Sequence, residues 1–585
     1  MSAEKLITDH IDIWTSAVQT KSASGRGSSK KRELYGIKKL RELILELAVR
    51  GKLVPQDPND EPASVLLERI AAEKAQLVKQ KQIKKPKALP SIEDTEMPFA
   101  LPHGWEWVRL NDLGEWGAGA TPKRGNSEFY GGDIPWFKSG ELTADYISES
   151  EETVTETALV QTSLRYNKVG DVLVAMYGAT IGKTAILDVR ATTNQAVCAC
   201  TPFTGFLNTY LLTLLKAYKP RLVGMGAGGA QPNISREKII ATVIALPPME
   251  EQARVVAKVD ELMALCDQLE QQTEASLDAH QVLVETLLAT LTNSQDATEL
   301  MANWARISDH FDTLFITGES IDQLKQTILQ LAVMGKLVPQ DPNDEPAAKL
   351  LERIAEEKAQ LVKEKKIKKQ KALPPIADDE KPFELPNGWV WARIFDASLF
   401  SEYGSSEKTV TELPDGVPVL KMGDIQAGKV ILGEHQVVSA QIEDLPNLYL
   451  KFGDVLYNRT NSAELVGKTG IFKGEDDVYT FASYLIRIRC SFNNVMPEYL
   501  SLSMNTPLFR KTQIEPHIKQ QCGQANVNGT LMKHMLVSVP PVREQARLMA
   551  KTKELLSFCD QLKQRLRDSQ QTQLQLTDAI VEQAL

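Results

Sequence analysis

The sequence predicts a multidomain α+β protein in which two α/β-type globular domains are separated by long antiparallel coiled-coil helices, within a pseudo-twofold internal repeat. Three observations lead to this prediction. The chain has 585 residues, too many for one ordinary hydrophobic core. Two distant segments are almost identical, and apolar residues follow helical patterns in the repeated frame and strand-like patterns in the divergent inserts.

The chain contains a long internal repeat. Residues 47–90 and 331–374 align over 44 positions, of which 37 are identical. The similarity continues into "PFALPHGWEWVRL" (98–110) and "PFELPNGWVWARI" (382–394), fades, and returns at 245–270 and 538–563. Two copies separated by nearly 290 residues do not make a solenoid. We therefore predict a duplicated helical frame around a first insert (98–249) and a second insert (382–541) of ordinary domain size, with frame segments 1–97, 250–381 and 542–585.

The frame is predicted to be helical. After Pro247 and Pro248, apolar and small polar residues recur in alternating steps of three and four, which is typical of a coiled-coil seam with a weak polar middle. The seam residues are Val259, Leu262, Cys266, Leu269, Thr273, Ser276, His280, Leu283 and Leu287. The C-terminal copy repeats its start at Thr552, Leu555, Cys559, Leu562 and Leu566.

Shorter frame helices are predicted at 37–49 and 321–333, where Gly51 and Gly335 are natural C-caps. Another helix is predicted at 62–78, with proline in its first turn. It leads into the lysine-rich "KQKQIKKPK", which either contacts phosphates or is a solvated tail before a linker.

The inserts combine strands and helices. Short β-branched runs bounded by turn residues predict strands at 170–176, 196–201 and 241–246, and 484–490 alternates Ile486, Ile488 and Cys490 with two arginines. Helical runs are predicted at 208–218 and 497–506. Each insert is thus predicted to be a compact α/β or α+β domain whose strand order the sequence does not give.

Composition excludes several classes of protein. No apolar run approaches the roughly 18 residues of a membrane-spanning helix, and the acidic start of the chain is unlike a signal peptide. The six cysteines form no CxxC pair, so we expect free thiols in a cytoplasmic protein. The seven histidines do not cluster, and we expect neither a metal site nor a bound cofactor.

The net charge of −9 argues against a nucleic-acid partner, because affinity for DNA comes largely from Lys and Arg that neutralise phosphates. Residues 98–250 contain 13 basic and 15 acidic side chains, and residues 382–541 contain 14 and 17. Polar side chains on loops can nevertheless specify a base without a basic domain, since phosphate contacts position and base contacts specify.

The stretch "MYGATIGKTA" (176–185) resembles a nucleotide-binding loop without fulfilling its requirements. A Walker loop is G-x-x-x-x-G-K-[ST], because its backbone amides must wrap the phosphates. Here Gly178 is one residue too close to Gly182, and no glycine precedes Gly467-Lys468-Thr469 at the required distance. We interpret both segments as a strand, a turn that exposes a lysine and a threonine, and a second strand.

Taken together, these motifs resemble the specificity subunits of type I restriction–modification enzymes. "AVRGKLVPQ" and "AVMGKLVPQ" resemble that family's helix terminator, and "LPHGWEWVRL" and "LPNGWVWARI" resemble the entry to its target recognition domains. "GDVLVAMYGATIGKTAIL" and "AQPNISREKIIATVIALPPMEEQARV" resemble its mid-domain turn and its exit into the long helix. The resemblance runs from about residue 34 to residue 585, and the Gly/Ser-rich first 33 residues show no match.

The resemblance implies a non-catalytic DNA-binding subunit. In that family each target recognition domain reads one half of a split, asymmetric site on double-stranded DNA, and the helices set the gap. Two modification subunits dock on the frame and methylate adenines with S-adenosylmethionine, and restriction subunits supply ATP- and Mg-dependent translocation and cleavage. A seam of roughly 30 residues would span about 45 Å, somewhat more than one DNA turn of about 34 Å.

Candidate DNA-contacting residues are polar or basic side chains on predicted loops, the types that read base edges. In the first insert they are Thr121, Lys123, Arg124, Lys138, Ser139, Tyr177, Thr180, Lys183, Asn194, Gln195, Gln231 and Asn233. In the second insert they are Ser405, Lys408, Lys421, Arg459, Asn461, Lys468, Gln521, Gln524, Asn526 and Asn528. Asn233 and Asn526 could equally cap the following turn or helix.

Two alternatives remain open at this stage. The negative charge and the long helices are also compatible with a coiled-coil scaffold that binds two copies of a protein and no DNA. The Gly-Lys-Thr turn would be compatible with an ATPase only if the shortened loop could still hold phosphates.

Overall fold

The structure, a computed structural model, describes residues 3–21, 31–85, 88–226, 232–521 and 524–585. It divides into two compact units, unit 1 (Met1–Ser276 and Ser569–Leu585) and unit 2 (Leu277–Asp568). Each unit contains frame helices and one insert that mixes strands and helices, which confirms the α+β class with two globular domains.

The frame begins with four helices, and an antiparallel pair of strands lies between the second and the third. The elements are α1 (Ala3–Asp9), α2 (Ile11–Ser16), β1 (Gln19–Lys21), β2 (Lys31–Glu33), α3 (Tyr35–Val49) and α4 (Ala63–Lys79). Helix α3 ends as predicted before Gly51, whose φ of +67° favours glycine. A Cβ at Gly51 would also lie 2.4 Å from the ring of Pro102, so the cap and the entry to the insert pack tightly.

The described residues of the first insert form ten strands and four helices. The strands are β3 (Glu106–Arg109), β4 (Gly114–Ala118), β5 (Tyr130–Phe137), β6 (Tyr146–Ile147), β7 (Thr153–Val154), β8 (Val172–Ala175), β9 (Thr184–Leu187), β10 (Thr192–Thr193), β11 (Val197–Pro202) and β12 (Val243–Leu246). The helices are α5 (Glu156–Gln161), α6 (Asn208–Ala217), α7 (Lys219–Gly226) and α8 (Arg236–Ile240). The sheets have the orders β4-β11-β8-β9-β6, β10-β5-β7 and β12-β3.

The central frame segment is helical throughout the described elements. It contains α9 (Met249–Asn293), α10 (Ala297–Asp309), α11 (Phe311–Leu314), α12 (Gly318–Val333) and α13 (Ala347–Lys363). Helix α12 ends before Gly335, which has a φ of +69°. The predicted seam of α9 is only partly correct, because Leu283 is 50% exposed whereas Val284 is buried. Beyond Thr273 the buried stripe follows Val284, Leu288 and Leu291, one residue later than the sequence pattern suggested.

The internal repeat reaches closer to the N-terminus than the sequence comparison indicated. "ITDHIDIW" (7–14) and "ISDHFDTL" (307–314) have the same helix–break–helix structure, with the break at His10 and His310. Trp14 and Leu314 are buried at equivalent positions. The N-terminal copy differs by the β1–β2 hairpin, inserted before α3.

The second insert repeats the strand order of the first. Its strands are β13 (Val390–Arg393), β14 (Phe400–Tyr403), β15 (Gly416–Leu420), β16 (Ile425–Gln426), β17 (Lys429–Val430), β18 (Val437–Ser439), β19 (Val455–Asn458), β20 (Thr460–Asn461), β21 (Thr469–Ile471), β22 (Thr480–Phe481), β23 (Leu485–Arg489), β24 (Lys519–Gln521), β25 (Gln524–Asn526) and β26 (Leu536–Val539). Its helices are α14 (Ile394–Ala397), α15 (Pro497–Met504), α16 (Pro507–Phe509) and α17 (Gly529–His534), and α18 (Val542–Ala584) follows it.

The main sheet has the order β14-β23-β19-β21-β17-β16, so its first five strands correspond to β4-β11-β8-β9-β6. The sheet β18-β15-β22 corresponds to β7-β5-β10, with one antiparallel and one parallel pair in each insert. A third sheet, β20-β25-β24, is reduced among the described residues of the first insert to an isolated antiparallel bridge between Tyr177 and Asn233.

Frame helices complete the core of the inserts. Ala347, Leu350 and Ile354 of α13 join Val455 and Ile488 of the main sheet in one buried cluster. In unit 1, Ala63, Leu66 and Ile70 of α4 are buried in the same way. Within the described ranges, no helix combines the length and the apolar character needed to cross a membrane.

Candidate DNA interface

The turns that carry the Gly-Lys-Thr sequences join equivalent strands, β8 to β9 and β19 towards β21. Gly182 and Gly467 have φ values of +77° and +87°, which explains the glycine before each lysine. Both threonines point inwards, against our sequence-based interpretation. Thr184 is buried, and the buried Thr469 hydroxyl lies 2.9 Å from the Ser501 hydroxyl. The threonines are therefore part of the packing, and only the lysines remain for a ligand.

Hydrogen bonds connect the predicted reading loops of the first insert. The Thr121 hydroxyl donates to the side-chain oxygen of Gln195, and the backbone N–H of Asn194 donates to Phe137 O at 3.0 Å. The Nζ of Lys183 donates to Gly140 O at 3.3 Å. These bonds bring the loops at 119–124, 138–140, 177–183 and 193–195 into one connected surface.

Tyr177 extends this surface towards the exit of the insert. The residue is 42% exposed, and its backbone forms an antiparallel bridge with Asn233. The Thr180 hydroxyl donates to Tyr177 O at 2.7 Å, which fixes the turn. Asn233 is exposed and does not cap α8, because the Ser235 side chain accepts the N–H of Lys238 instead.

Two cations of the first insert share an acidic partner that the sequence analysis overlooked. Lys138 Nζ lies 2.8 Å from Glu151 and 3.1 Å from Glu152, and Arg124 also pairs with Glu152. The Arg124 guanidinium lies 4.9 Å from the ring centroid of Trp136. The hydrogen bond from Arg124 lowers the pKa of Glu152, and the bonds to Glu151 and Glu152 raise the pKa of Lys138. The acidic run "SESEE" (148–152) was the signal for this pairing.

Arg124 and Lys138 are suited to exchange their carboxylate partners for DNA phosphates. Both cations are at least partly exposed, and exposed ion pairs contribute little to stability. A phosphate that replaced the carboxylates would accept the same charge-assisted hydrogen bonds.

Lys421 occupies the equivalent place in the second insert. It follows β15 as Lys138 follows β5, and each backbone N–H donates to a carboxylate three residues later, in Asp424 and Glu141. The Lys421 Nζ donates to Thr409 at 2.9 Å and to Gln436. This lysine thus has neutral partners where Lys138 has two carboxylates, and no local sequence pattern points to Thr409 or Gln436.

Arg459 links the second insert's main sheet to its third sheet. Its Nε donates to Ser483 O at 2.7 Å, and its guanidinium lies 5.1 Å from the ring centroid of Tyr403. Its carbonyl accepts the N–H of Val527, and the strand after it pairs Thr460 with Asn526. Asn526 donates to the Thr460 hydroxyl at 3.3 Å and caps no helix.

Three further predicted residues have their side chains bonded within the protein. Ser405 is buried and donates to Asp444, and Asn528 is the N-cap of α17, accepting the N–H of Leu531 at 3.0 Å. Asn461 is partly buried and accepts the N–H of Ser462.

The remaining predicted residues are either exposed or partly exposed, or have side chains that the structure does not describe. Lys123, Lys408 and Lys468 are exposed and form no ion pair within the described residues, and Ser139 is partly exposed. Gln231 lies outside the described residues. Gln521 and Gln524 pair through their backbones between β24 and β25, and their side chains lie outside what the structure describes.

Arg487, in contrast, is not available to a ligand. It is 1% exposed, pairs with Glu402, and donates to Tyr449 O at 2.6 Å and to Asn447 O at 2.9 Å. Its neighbour Arg489 donates to the buried Asp454 at 2.7 Å. The alternation of "YLIRIRC" indicated which side of the strand the arginines occupy but not that this side is buried.

Comparisons with known proteins agree with the motifs. Residues 102–279 match the family model described as the type I restriction modification DNA specificity domain. The chain is 43% identical over 602 residues to the EcoEI specificity subunit of Escherichia coli, with full coverage of both chains. It is also 43% identical over 604 residues to the EcoAI specificity subunit of the same organism, again with full coverage. These alignments include the first 33 residues, which the sequence motifs do not cover.

A crystal structure of the HsdS subunit from Thermoanaerobacter tengcongensis aligns with a TM-score of 0.40 at 18% identity, over 84% of this chain and 98% of that chain. The two full-length alignments carry the assignment: the chain belongs to the family of type I restriction enzyme specificity subunits, which are non-catalytic and recognise DNA.

Proposed function

We propose that the chain is the sequence-specific DNA-binding subunit of a type I restriction–modification complex and that it recognises a bipartite, asymmetric site. Residues 98–249 and 382–541 act as its two target recognition domains, and each reads one half of the site. The observation that carries this proposal is the combination of equal strand order with different side chains at equivalent loop positions, Lys138 with two carboxylates and Lys421 with two neutral partners.

Base readout in this proposal comes from side chains that the protein holds in place. Arg124 and Lys138 in the first insert, and Lys421 and Arg459 in the second, are fixed by hydrogen bonds or by aromatic rings. Preorganised Arg and Lys side chains suit guanine edges and phosphates. Because each insert has a small negative net charge, we expect partner subunits to share the phosphate contacts.

The frame is proposed to bind two modification subunits, which methylate adenines with S-adenosylmethionine, and the complex then recruits restriction subunits that use ATP and Mg. This chain binds none of these cofactors itself, and the complex acts in the cytoplasm. The support is the near-identity of the two frame copies, since two equal partners need two equal docking surfaces.

The long helices are proposed to form an antiparallel coiled coil that sets the gap between the half-sites. Helix α9 alone has 45 residues, which corresponds to about 68 Å at 1.5 Å per residue. Insertion of residues after Glu251 should change the number of unread base pairs between the half-sites, as measured by mapping the methylated motif. An unchanged gap would show that the length of the helix does not set the spacing between the half-sites.

The direct test of readout uses the complex reconstituted with its modification subunits. Lys138→Gln should weaken discrimination in one half of the motif, and Lys421→Gln should weaken it in the other. Lys473→Gln, at an exposed lysine of the second insert paired with Glu498, is the control and should change neither. If the unmodified complex shifted no genomic fragment in a gel, the coiled-coil scaffold without DNA readout would be favoured.

A further inference from the structure

Both copies of the frame carry a run of exposed lysines that the proposed function does not use. We call residues 79–85 the first lysine run and residues 363–371 the second lysine run. The first contains four lysines and no acidic residue, and the second contains six lysines and one glutamate. Every lysine in both runs is exposed, and within the described residues only Lys366 forms an ion pair, with Glu364. The runs are therefore strongly basic segments of an acidic protein.

The two runs have defined positions on their units. Each begins at the end of a helix, α4 or α13, that packs against the insert. After each run a buried arginine of the insert, Arg109 or Arg393, holds the chain. Arg109 donates to Pro90 O at 3.1 Å and Arg393 donates to Pro374 O at 3.1 Å. The lysines are consequently held at both ends by equivalent contacts in the two units.

The same arginines contact the C-terminal ends of the short helices that follow the candidate residues Asn233 and Asn526. Arg109 also donates to Ala241 O, which follows α8, and Arg393 donates to His534 O at the end of α17. In unit 2 the run itself touches this helix, because Lys533 Nζ donates to Gln370 at 3.1 Å. Helix α17 starts after Asn528, and its six residues are about 9 Å long. This length corresponds to about three base-pair steps of 3.4 Å.

The backbone supplies an independent observation. Lys81 and Lys365 terminate their helices with φ values of +57° and +58°, a conformation in which glycine or asparagine is favoured. The helix-terminating hydrogen bonds are also equal, Gln82 N to Leu77 O at 3.0 Å and Lys366 N to Leu361 O at 2.9 Å. A lysine is thus kept at a strained position in both copies, which points to a use for its charge.

We infer that the two lysine runs bind phosphates of the DNA backbone beside each half-site, independently of base sequence. This inference rests on the proposed function, because it assumes that the inserts bind DNA and adds the lysine runs as a second DNA-contacting surface. Flexible ammonium groups without carboxylate partners suit phosphate contacts, whereas base readout needs fixed side chains. The runs would also supply the positive charge that the inserts lack.

The test measures DNA affinity of the complex, reconstituted with its modification subunits, at several salt concentrations. One variant replaces Lys79, Lys81, Lys84 and Lys85 with Gln, and a second replaces Lys363, Lys365, Lys368 and Lys369 with Gln. The matched controls replace the same residues with Arg, which preserves the charge. Duplexes with and without the target motif are titrated in parallel, and assembly without DNA is measured by sedimentation.

Each Gln variant should bind both duplexes about tenfold more weakly, with a salt slope reduced by up to about 0.9 for each phosphate that the lysines no longer neutralise. Its preference for the target should be unchanged, and the Arg variants should bind as the unmodified complex does. An unchanged salt slope, a loss confined to the target duplex, or impaired assembly without DNA would each overturn the inference. Absence of any target preference in the unmodified complex would instead refute the proposed function.

Discussion

In unit 1 the indole N–H of Trp105 donates to Glu251 at 2.9 Å, and in unit 2 the indole N–H of Trp389 donates to Glu544 at 3.0 Å. The same duplication holds for the backbone bond that starts the helix before each insert, from Ala63 N to Gly104 O and from Ala347 N to Gly388 O, both 2.8 Å. The frame is thus repeated at the level of single hydrogen bonds.

The strands of the inserts keep their order but not their side chains. From the registers of β11 with β8 and of β23 with β19, Ala199 corresponds to Arg487 and Thr201 to Arg489. Ala199 lies in an apolar cluster, whereas Arg487 is buried among carboxylates and carbonyl groups. One strand framework thus accepts different buried side chains while the contacts to the frame stay the same.

The largest expected effect is on the buried arginine of unit 2. Arg487→Met should lower the free energy of unfolding by about 3–5 kcal/mol, because two backbone carbonyls lose their donor and the buried Asp454 and the partly exposed Glu402 lose a cationic partner. Urea denaturation of the whole chain measures it. Lys473→Met at an exposed site is the control and should change stability by less than about 0.5 kcal/mol. A loss below about 1 kcal/mol for Arg487→Met would mean that the two interiors are energetically alike.

The pH dependence of stability should also distinguish Lys358 in unit 2 from its counterpart in unit 1. Burial lowers the pKa of Lys358 to about 8, and its ammonium donates to Phe395 O. Its counterpart Lys74 makes the equivalent bond to Asn111 O at 3.1 Å and also pairs with Asp112 at 2.9 Å. Since the unfolded chain holds the Lys358 proton up to about pH 10.5, the contribution of Lys358 to stability should rise by at most about 3 kcal/mol as the pH increases from about 8 towards 10.5. Burial raises the pKa of thiols such as Cys198 and Cys200, which act in the opposite direction over this range.

Urea denaturation of the unmodified chain and of Lys358→Met at pH 7.5 and 9.5 measures this effect. The free energy of unfolding of the unmodified chain minus that of Lys358→Met should increase between these pH values, whereas the same difference for Lys74→Met should not. An unchanged difference for Lys358→Met would contradict the assignment to Lys358.

The frame contacts should respond equally in the two units. Trp105→Phe and Trp389→Phe each remove one donor to a carboxylate whose pKa burial raises, Glu251 or Glu544. Each substitution should lower the free energy of unfolding by about 1–3 kcal/mol. The two losses, measured separately by denaturation, should agree within about 0.5 kcal/mol. Clearly unequal losses would show that equal geometry does not imply equal energetics here.

The smallest expected effect concerns the helix ends. Lys81→Gly and Lys365→Gly should each stabilise the chain by about 1 kcal/mol, because glycine adopts the left-handed conformation without strain. Thermal denaturation measures the gain. Lys81→Ala and Lys365→Ala remove the same charge but keep the strain, so neither should stabilise. A gain in the alanine variants would attribute the effect to charge and not to the backbone.

The frame was largely predictable because its signals are local. The helices before Gly51 and Gly335 end where the glycines predicted, since a left-handed cap is a property of a few neighbouring residues. The stripe on α9 was predicted only as far as Thr273, because beyond it the neighbours that bury Val284 are distant in sequence.

The inserts were less predictable because their features depend on long-range pairing. The four strands that the sequence predicted by range were placed to within two residues, but the other strands and the strand order required contacts that no local pattern contains. The sequence also did not predict which basic side chains form ion pairs, since Glu152 approaches Arg124 and Lys138 only after folding. The hydrogen bonds of Ser405 and Asn528 depend on the fold in the same way.

One measurement tests most directly whether the two inserts read DNA independently on a common frame. Residues 98–249 are replaced by the corresponding insert of a related specificity subunit, and the methylated motif of cells that carry the complex is mapped by methylation-sensitive sequencing. We predict that one half of the motif changes while the other half and the gap stay the same. A motif in which both halves changed would contradict the account.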